Sequence, residues 1–279
     1  MNPNFIKITK QTLLPTLAAA AATLLVSETS SLATLTYDLR VTALNGVSVP
    51  PALAKNITVN LNDDVTFTIY AQVTGTAGDP LLEGVQSAFF SLVSDPTSAT
   101  KGNFAPATIN PAFPSGGSKA GTPKDTNLDG FFDRLGVGTT ASAQNTAASS
   151  DIAAIKDVSP NYAGTPILDG QEFALATTVF HVAQMGSNLS VTVVPSIFTS
   201  GIGAARFSQI WGENAANNTS AQNRQTGFNN LTNTAPNTGS ASPGTGVTLI
   251  AVPEPAAFGM VILGAMGLVG FRRLGVRRA

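Results

Sequence analysis

The chain contains no cysteine and a single histidine, His181, among its 279 residues. Without thiols the chain has no disulfide framework, no thiolate nucleophile and no thiolate metal site, so packing must supply its stability. Charge is scarce too, with Asp, Glu, Lys and Arg at 11% of residues. Nucleic-acid affinity rests on clustered Lys and Arg, and a sparsely charged central region is a poor match for it. Helical periodicity is nearly missing between the two ends, and only Ile152–Ile155 suggests a helical turn. Catalytic signatures are equally thin. No G-x-S-x-G elbow occurs, Ser98 and Lys101 match S-x-x-K only in a loop-like stretch, and Gly201-Ile202-Gly203 opens a G-x-G that never finishes. Asp63 and Asp64 are adjacent and face opposite sides of a strand, which separates them as a carboxylate pair. His181 follows Leu175 and Val179 at strand spacing, which points to the end of a strand face rather than to a catalytic base. Trp211 with Tyr37, Tyr70 and Tyr162 is a small stock for stacking on sugars, and a lone Trp suits core packing. The expectation is a non-enzymatic protein, against the alternative of a secreted hydrolase of polysaccharide or ester.

What is present is concentrated at the ends. Lys7 and Lys10 precede an apolar run over residues 13–26, and Ser31-Leu32-Ala33 supplies small residues for cleavage between Ala33 and Thr34. Residues 1–33 therefore read as a secretory signal peptide, with a signal helix. At the other end, Pro253-Glu254-Pro255 leads into an apolar stretch over residues 256–271, closed by Arg272, Arg273, Arg277 and Arg278. As a helix that stretch would rise only ~24 Å, short of the ~30 Å hydrocarbon core, so it is a marginal single membrane span. The arginines hold its end on the cytoplasmic side. Residues 252–279 resemble the PEP-CTERM sorting signal of Gram-negative bacteria. That resemblance implies transient residence in the inner membrane, recognition through Pro253, Glu254, Pro255, Arg272 and Arg273, cleavage by an exosortase, and release to the cell surface, outer envelope or extracellular matrix. Loss of both ends removes six of 15 basic and two of 16 acidic residues, leaving 9 and 14 and a net charge of −5.

Between the signals, apolar residues alternate. Leu35, Tyr37, Leu39 and Val41 oppose Thr36, Asp38, Arg40 and Thr42; Val65, Phe67, Ile69, Ala71 and Val73 oppose Thr66, Thr68, Tyr70 and Gln72; Leu189, Val191 and Val193 oppose Ser190, Thr192 and Val194. This is the period of half-buried strands, and residues 56–61, 85–93, 172–182 and 247–252 are further candidates. The fold class is all-β, an antiparallel β-sandwich over residues 34–213 with a loop-rich insertion at about 95–160. Residues 214–251 form an Asn-, Thr-, Ser- and Gly-rich linker, most of it a stalk with little to bury.

Three stretches carry a weaker resemblance to cohesin-like jelly-roll domains: Asn62-Asp63-Asp64-Val65-Thr66-Phe67-Thr68-Ile69, Gly84-Val85-Gln86-Ser87-Ala88-Phe89-Phe90, and Phe173-Ala174-Leu175-Ala176-Thr177-Thr178-Val179-Phe180. The resemblance implies a binding domain without catalytic machinery. The long insertion leaves no partner-binding residue to carry over. An envelope or extracellular polysaccharide or a surface protein is the expected partner.

Asp125-Thr126-Asn127-Leu128-Asp129-Gly130-Phe131-Phe132-Asp133 is the best candidate site. A D-x-N-x-D-G loop presents the side-chain oxygens of Asp125, Asn127 and Asp129 to a hard cation, Gly130 allows the sharp turn, and the Phe131 carbonyl and Asp133 carboxylate extend the shell. The loop resembles an EF-hand or dockerin calcium loop over nine positions, but Gly136 stands where a bidentate acid belongs. Two readings fit: weak structural Ca²⁺ binding, or an ordinary solvated acidic turn.

Overall fold

A computed structural model describes residues 34–75, 80–114, 117–136, 152–155, 164–195, 209–213, 224–226, 240–242 and 246–252. The signal peptide up to Ala33 and the sorting residues from Pro253 onward, with the two helices expected there, lie outside the described residues. Among the described residues no helix is long and apolar enough to cross a membrane.

The strands, in chain order, are β1 (Thr34–Leu44), β2 (Val47–Ser48), β3 (Asn56–Val59), β4 (Asp64–Thr74), β5 (Glu83–Ser94), β6 (Lys101–Phe104), β7 (Thr108–Ile109), β8 (Lys119–Ala120) and β9 (Pro123–Lys124). They continue as β10 (Arg134–Leu135), β11 (Ile152–Ile155), β12 (Thr165–Ile167), β13 (Gly170–Gln184), β14 (Leu189–Pro195), β15 (Gln209–Glu213), β16 (Arg224–Thr226), β17 (Ser240–Ser242) and β18 (Val247–Ala251). The first sheet runs β12-β13-β4-β1-β17, with β2 on β1 and with β6 and β7 on β13; the second runs β16-β15-β5-β14-β18-β3. β10 and β11 line the far edge of β5, since Phe90 pairs with both Ile152 and Pro195. The described pairings are antiparallel except β1 with β17 and β18 with β3.

Alternation places the core. Leu35, Tyr37, Leu39, Phe67, Ile69, Ala71 and Val73 of the first sheet are fully buried, as are Ala88, Phe90, Leu92, Val191 and Leu249 of the second. Each large apolar side chain so buried contributes about 1.5–3 kcal/mol. Tyr37 and Phe90 meet with ring centroids 5.2 Å apart, and Phe104 packs edge-on against Phe180 at 4.8 Å. The polar residues opposite them along β1 and β4 face outward, so the two sheets form a sandwich with a single apolar interior.

Four expectations change. Ile152–Ile155 is strand β11 rather than a helical turn. It lies between β5 and β8, and Ile152, Ala153 and Ala154 are all buried, so the run shows no alternation that would mark it as a strand. The insertion is woven into both sheets: β6 and β7 cover the edge of β13, and β10 and β11 cover that of β5. The sandwich continues past residue 213, because β18 lies between β14 and β3 with Val247 and Leu249 buried, and β17 extends the first sheet beside β1. Finally, the register of β13 against β4 slips between Ala174 and Ala176. The extra residue inverts the alternation, so Leu175 is buried on the core side while Val179 and His181 alternate with buried Phe180 and Val182.

Candidate functional site

The acidic loop joins β9 to β10 and is ordered by its own side chains. Asp125 accepts hydrogen bonds from the backbone N–H of Asp129 (3.2 Å) and of Gly130 (2.8 Å), and Asp129 accepts from Phe131 N–H (3.0 Å) and Asn127 Nδ2 (2.8 Å). Leu128 and Gly130 take left-handed φ values of 61° and 92°, which close the turn. The Lys101 ammonium lies 3.2 Å from Asp129. The surrounding protein pushes the Asp129 carboxyl up, but hydrogen bonds from Asn127 and Phe131 and the Lys101 charge together hold it below the ordinary carboxylate range.

Asp133 does something else. At 2% exposure, its carboxylate accepts from Thr126 N–H (2.9 Å) and Thr126 Oγ1 (2.5 Å), while its carbonyl accepts from Ser94 N–H (2.9 Å) and Ser94 Oγ (3.0 Å). The Phe131 carbonyl accepts from Asp133 N–H at 3.0 Å. Thus Asp125, Asn127 and Asp129 are brought together, whereas Asp133 pins the loop to itself and to β5. Among the described residues, no three His, Cys, Asp or Glu side chains are grouped as they would be around a metal ion.

The other chemistry-bearing residues disperse. His181 Nδ1 lies 2.8 Å from Asp64 Oδ1 across the β13–β4 ladder, with both side chains about half exposed. Asp63 turns inward and accepts from Asn60 N–H (2.7 Å) and Asn45 Nδ2 (2.8 Å), so the two neighbouring aspartates diverge. Lys101 reaches the Pro96 carbonyl and Asp129, while Ser98 Oγ is 3.2 Å from Ser187 Oγ and the two clamp the β13–β14 turn. Trp211 is fully buried. Thr34 opens β1; Tyr162 lies outside the described residues.

One arrangement was not singled out from sequence: a fixed polar patch on the outer face of the first sheet. Arg40 donates through Nε to Asp38 (2.7 Å) and through both terminal nitrogens to Glu172, the first at 2.8 Å. Its guanidinium carbon lies 4.5 Å from the centroid of the Tyr70 ring. Lys55 pairs with Asp38, and Gln72 Nε2 donates to Glu172 at 2.9 Å. Burial pulls the Arg40 pKa down, but Glu172 and Asp38 hold it above its ordinary value, so the guanidinium stays charged. Beside this ladder a notch of about 200 Å³ is lined by Thr68, Ile109, Asn110, Ala174, Ala176 and Thr177. The sequence placed Asp38 and Arg40 on one strand face, but their partner Glu172 is 132 residues from Arg40.

No family model and no curated protein matches the chain. Among solved structures it is similar in outline to CaCohA2 from Clostridium acetobutylicum, at 8% identity and a TM-score of 0.37 over 78% of this chain and 91% of that one. It is also similar to the seventh ScaB type I cohesin of Pseudobacteroides cellulosolvens, at 8% identity and 0.35 over 80% and 94%, and to a type I cohesin-dockerin complex from Clostridium thermocellum, at 8% and 0.35 over 78% and 99%. No family membership follows. At these TM-scores the likeness decides neither fold nor function.

Proposed function

We propose that the chain is an exported, non-enzymatic binding protein of the cell surface or extracellular matrix. Residues 1–33 take it across the inner membrane, residues 252–279 present it to an exosortase, and the outer face of the first sheet engages a partner. The observation that supports the binding role is the clamped Arg40, held by Asp38 and Glu172 over Tyr70, because side chains already fixed lose little freedom on association. A protein partner is favoured over a polysaccharide, since Arg40 covers the Tyr70 ring that a sugar would stack upon. Ca²⁺, in this reading, engages Asp125, Asn127 and Asp129 weakly and displaces the Lys101 ammonium, adding to the hydrogen bonds that already order the loop and taking no part in chemistry.

Thr177→Arg places a long cation beside the notch while leaving the core untouched. In a pull-down of envelope proteins on the 34–252 fragment, a partner held by the parent and lost with Thr177→Arg supports the binding role. Turnover of envelope polysaccharides or esters that disappears with His181→Ala overturns it. For sorting, retention of full-length chain in the inner membrane after Glu254→Ala is expected, and normal release overturns the exosortase route. For calcium, millimolar Ca²⁺ should raise the melting temperature of the fragment but not that of Asp125→Ala. Equal shifts in both remove the ion from the account.

A further inference from the structure

The second sheet ends at β3, and an apolar groove lies along that edge. β3 ends that sheet and pairs with β18 alone among the described strands. Thr248 N–H donates to the Lys55 carbonyl and Val252 N–H to the Val59 carbonyl, so odd-numbered residues of β3 turn toward β18. The backbone groups of Asn56 and Thr58 therefore face the unpaired side. Against that edge lies a groove of about 510 Å³, lined by Val47, Val49, Pro50, Leu53, Ile57 and Thr58 among others and by no charged side chain. Val47 is 70% and Leu53 50% exposed, which leaves an apolar surface beside backbone that no described strand pairs with.

The chain leaves the described structure at this place. Val252, the last described residue, is hydrogen-bonded to Val59 at the end of β3. Pro253-Glu254-Pro255 follows, and then residues 256–271 carry no charge at all. Crossing from β18 past β3 to its open side covers two strand spacings, about 10 Å. Three extended residues span roughly the same distance. A segment arriving there after such a turn runs antiparallel to β3.

We propose that, before the tail enters a membrane, residues 256–261 dock in cis on the open edge of β3 as an added antiparallel strand, seating Phe258 in the Val47–Leu53 groove. Attachment three residues away makes the docking intramolecular, and an uncharged segment meets an uncharged groove. The groove shields part of the apolar tail during passage through water. This goes beyond the sorting reading and stands on the exit point of the chain rather than on any enzyme that later cuts it.

The absence of native cysteine makes the test clean. Full-length chain is synthesised without membrane or detergent, carrying Thr58→Cys paired in turn with Ala257→Cys, Phe258→Cys or Gly259→Cys, and is mildly oxidised. A disulfide within one chain should form in at least one pair, about tenfold more than when Leu128→Cys replaces Thr58→Cys. Adding Val47→Arg and Leu53→Arg, both at exposed positions, should lower that yield about tenfold. Equal yields with the Leu128 control, a yield indifferent to the two arginines, no disulfide in any pair, or a disulfide-linked dimer that puts a second copy on the edge would each overturn the proposal.

Discussion

Replacing Asp133 separates the two readings of the acidic loop. Its carboxylate accepts from both the N–H and the hydroxyl of Thr126 and is 2% exposed. Hydrogen bonds to charged groups contribute about 1.5–3 kcal/mol each. Thr126 is exposed and water recovers part of its bonding in the variant, so the lower figure applies to each bond. Asp133→Ala should then cost about 3 kcal/mol, a large share of the roughly 5–15 kcal/mol that holds a domain together. For a domain of this size that lowers the melting temperature by about 6–12 °C. Asp133→Asn keeps an acceptor for the Thr126 N–H and offers its amide to the hydroxyl, so about 1 kcal/mol is expected. Thermal and urea unfolding of the 34–252 fragment, followed by circular dichroism with and without millimolar Ca²⁺, reads both. If Asp133→Asn is as damaging as Asp133→Ala, or if the loss appears only when Ca²⁺ is present, the carboxylate serves an ion rather than Thr126 and the reasoning fails.

Three further outcomes follow from the packing and the charges. Phe180→Ala removes the edge-on contact with Phe104 and opens a hole beside Phe67, and should cost about 3–5 kcal/mol in urea unfolding with an unchanged slope. A Cβ at Gly170 would stand 2.0 Å from the Val73 carbonyl, so Gly170→Ala should push β13 from β4, seen as faster amide exchange at residues 170–174 than elsewhere in β13. The Thr97 hydroxyl, then its N–H, hold the Asp95 carboxyl below the ordinary range. A folded pKa lowered in this way adds stability above the unfolded value, near 4, and loses it as pH falls through the lowered one. Thr97→Val should therefore raise the Asp95 midpoint in an NMR titration; an unmoved midpoint contradicts the assignment.

Strands buried on one side were legible from sequence. β1, β4 and β14 show a clean period of two because their outer faces are polar, and the pairs of apolar and polar residues read from them fall on the expected sides. Strands buried on both sides were not. Ile152, Ala153 and Ala154 offer no alternation, because β11 is covered all round. The bulge near Leu175 was invisible for a different reason: its cause lies in the register with β4, and it moved His181 off the face that spacing had assigned. β17 lies in a Ser- and Thr-rich stretch whose composition argues for a linker, yet three backbone pairings with β1 suffice to place it. The same limit governs the site. Asp125, Asn127 and Asp129 are near one another in sequence and were found together, whereas the clamp on Arg40 depends on Glu172 arriving from a distant strand.

The two parallel pairings have a consequence for how the protein is made. β1 and β3 are synthesised well before β17 and β18, which pair with them. Ile57 and Val59 gain their strand neighbour only when residues 249 and 251 have left the ribosome. Until then the second sheet lacks its closing pair, and the contacts that seal it join residues 56–59 to residues 248–251, a slow closure by topology. A polypeptide whose final clasp is made so late remains unlocked through most of its synthesis, and fastens only once its distant partner strands are free to reach back.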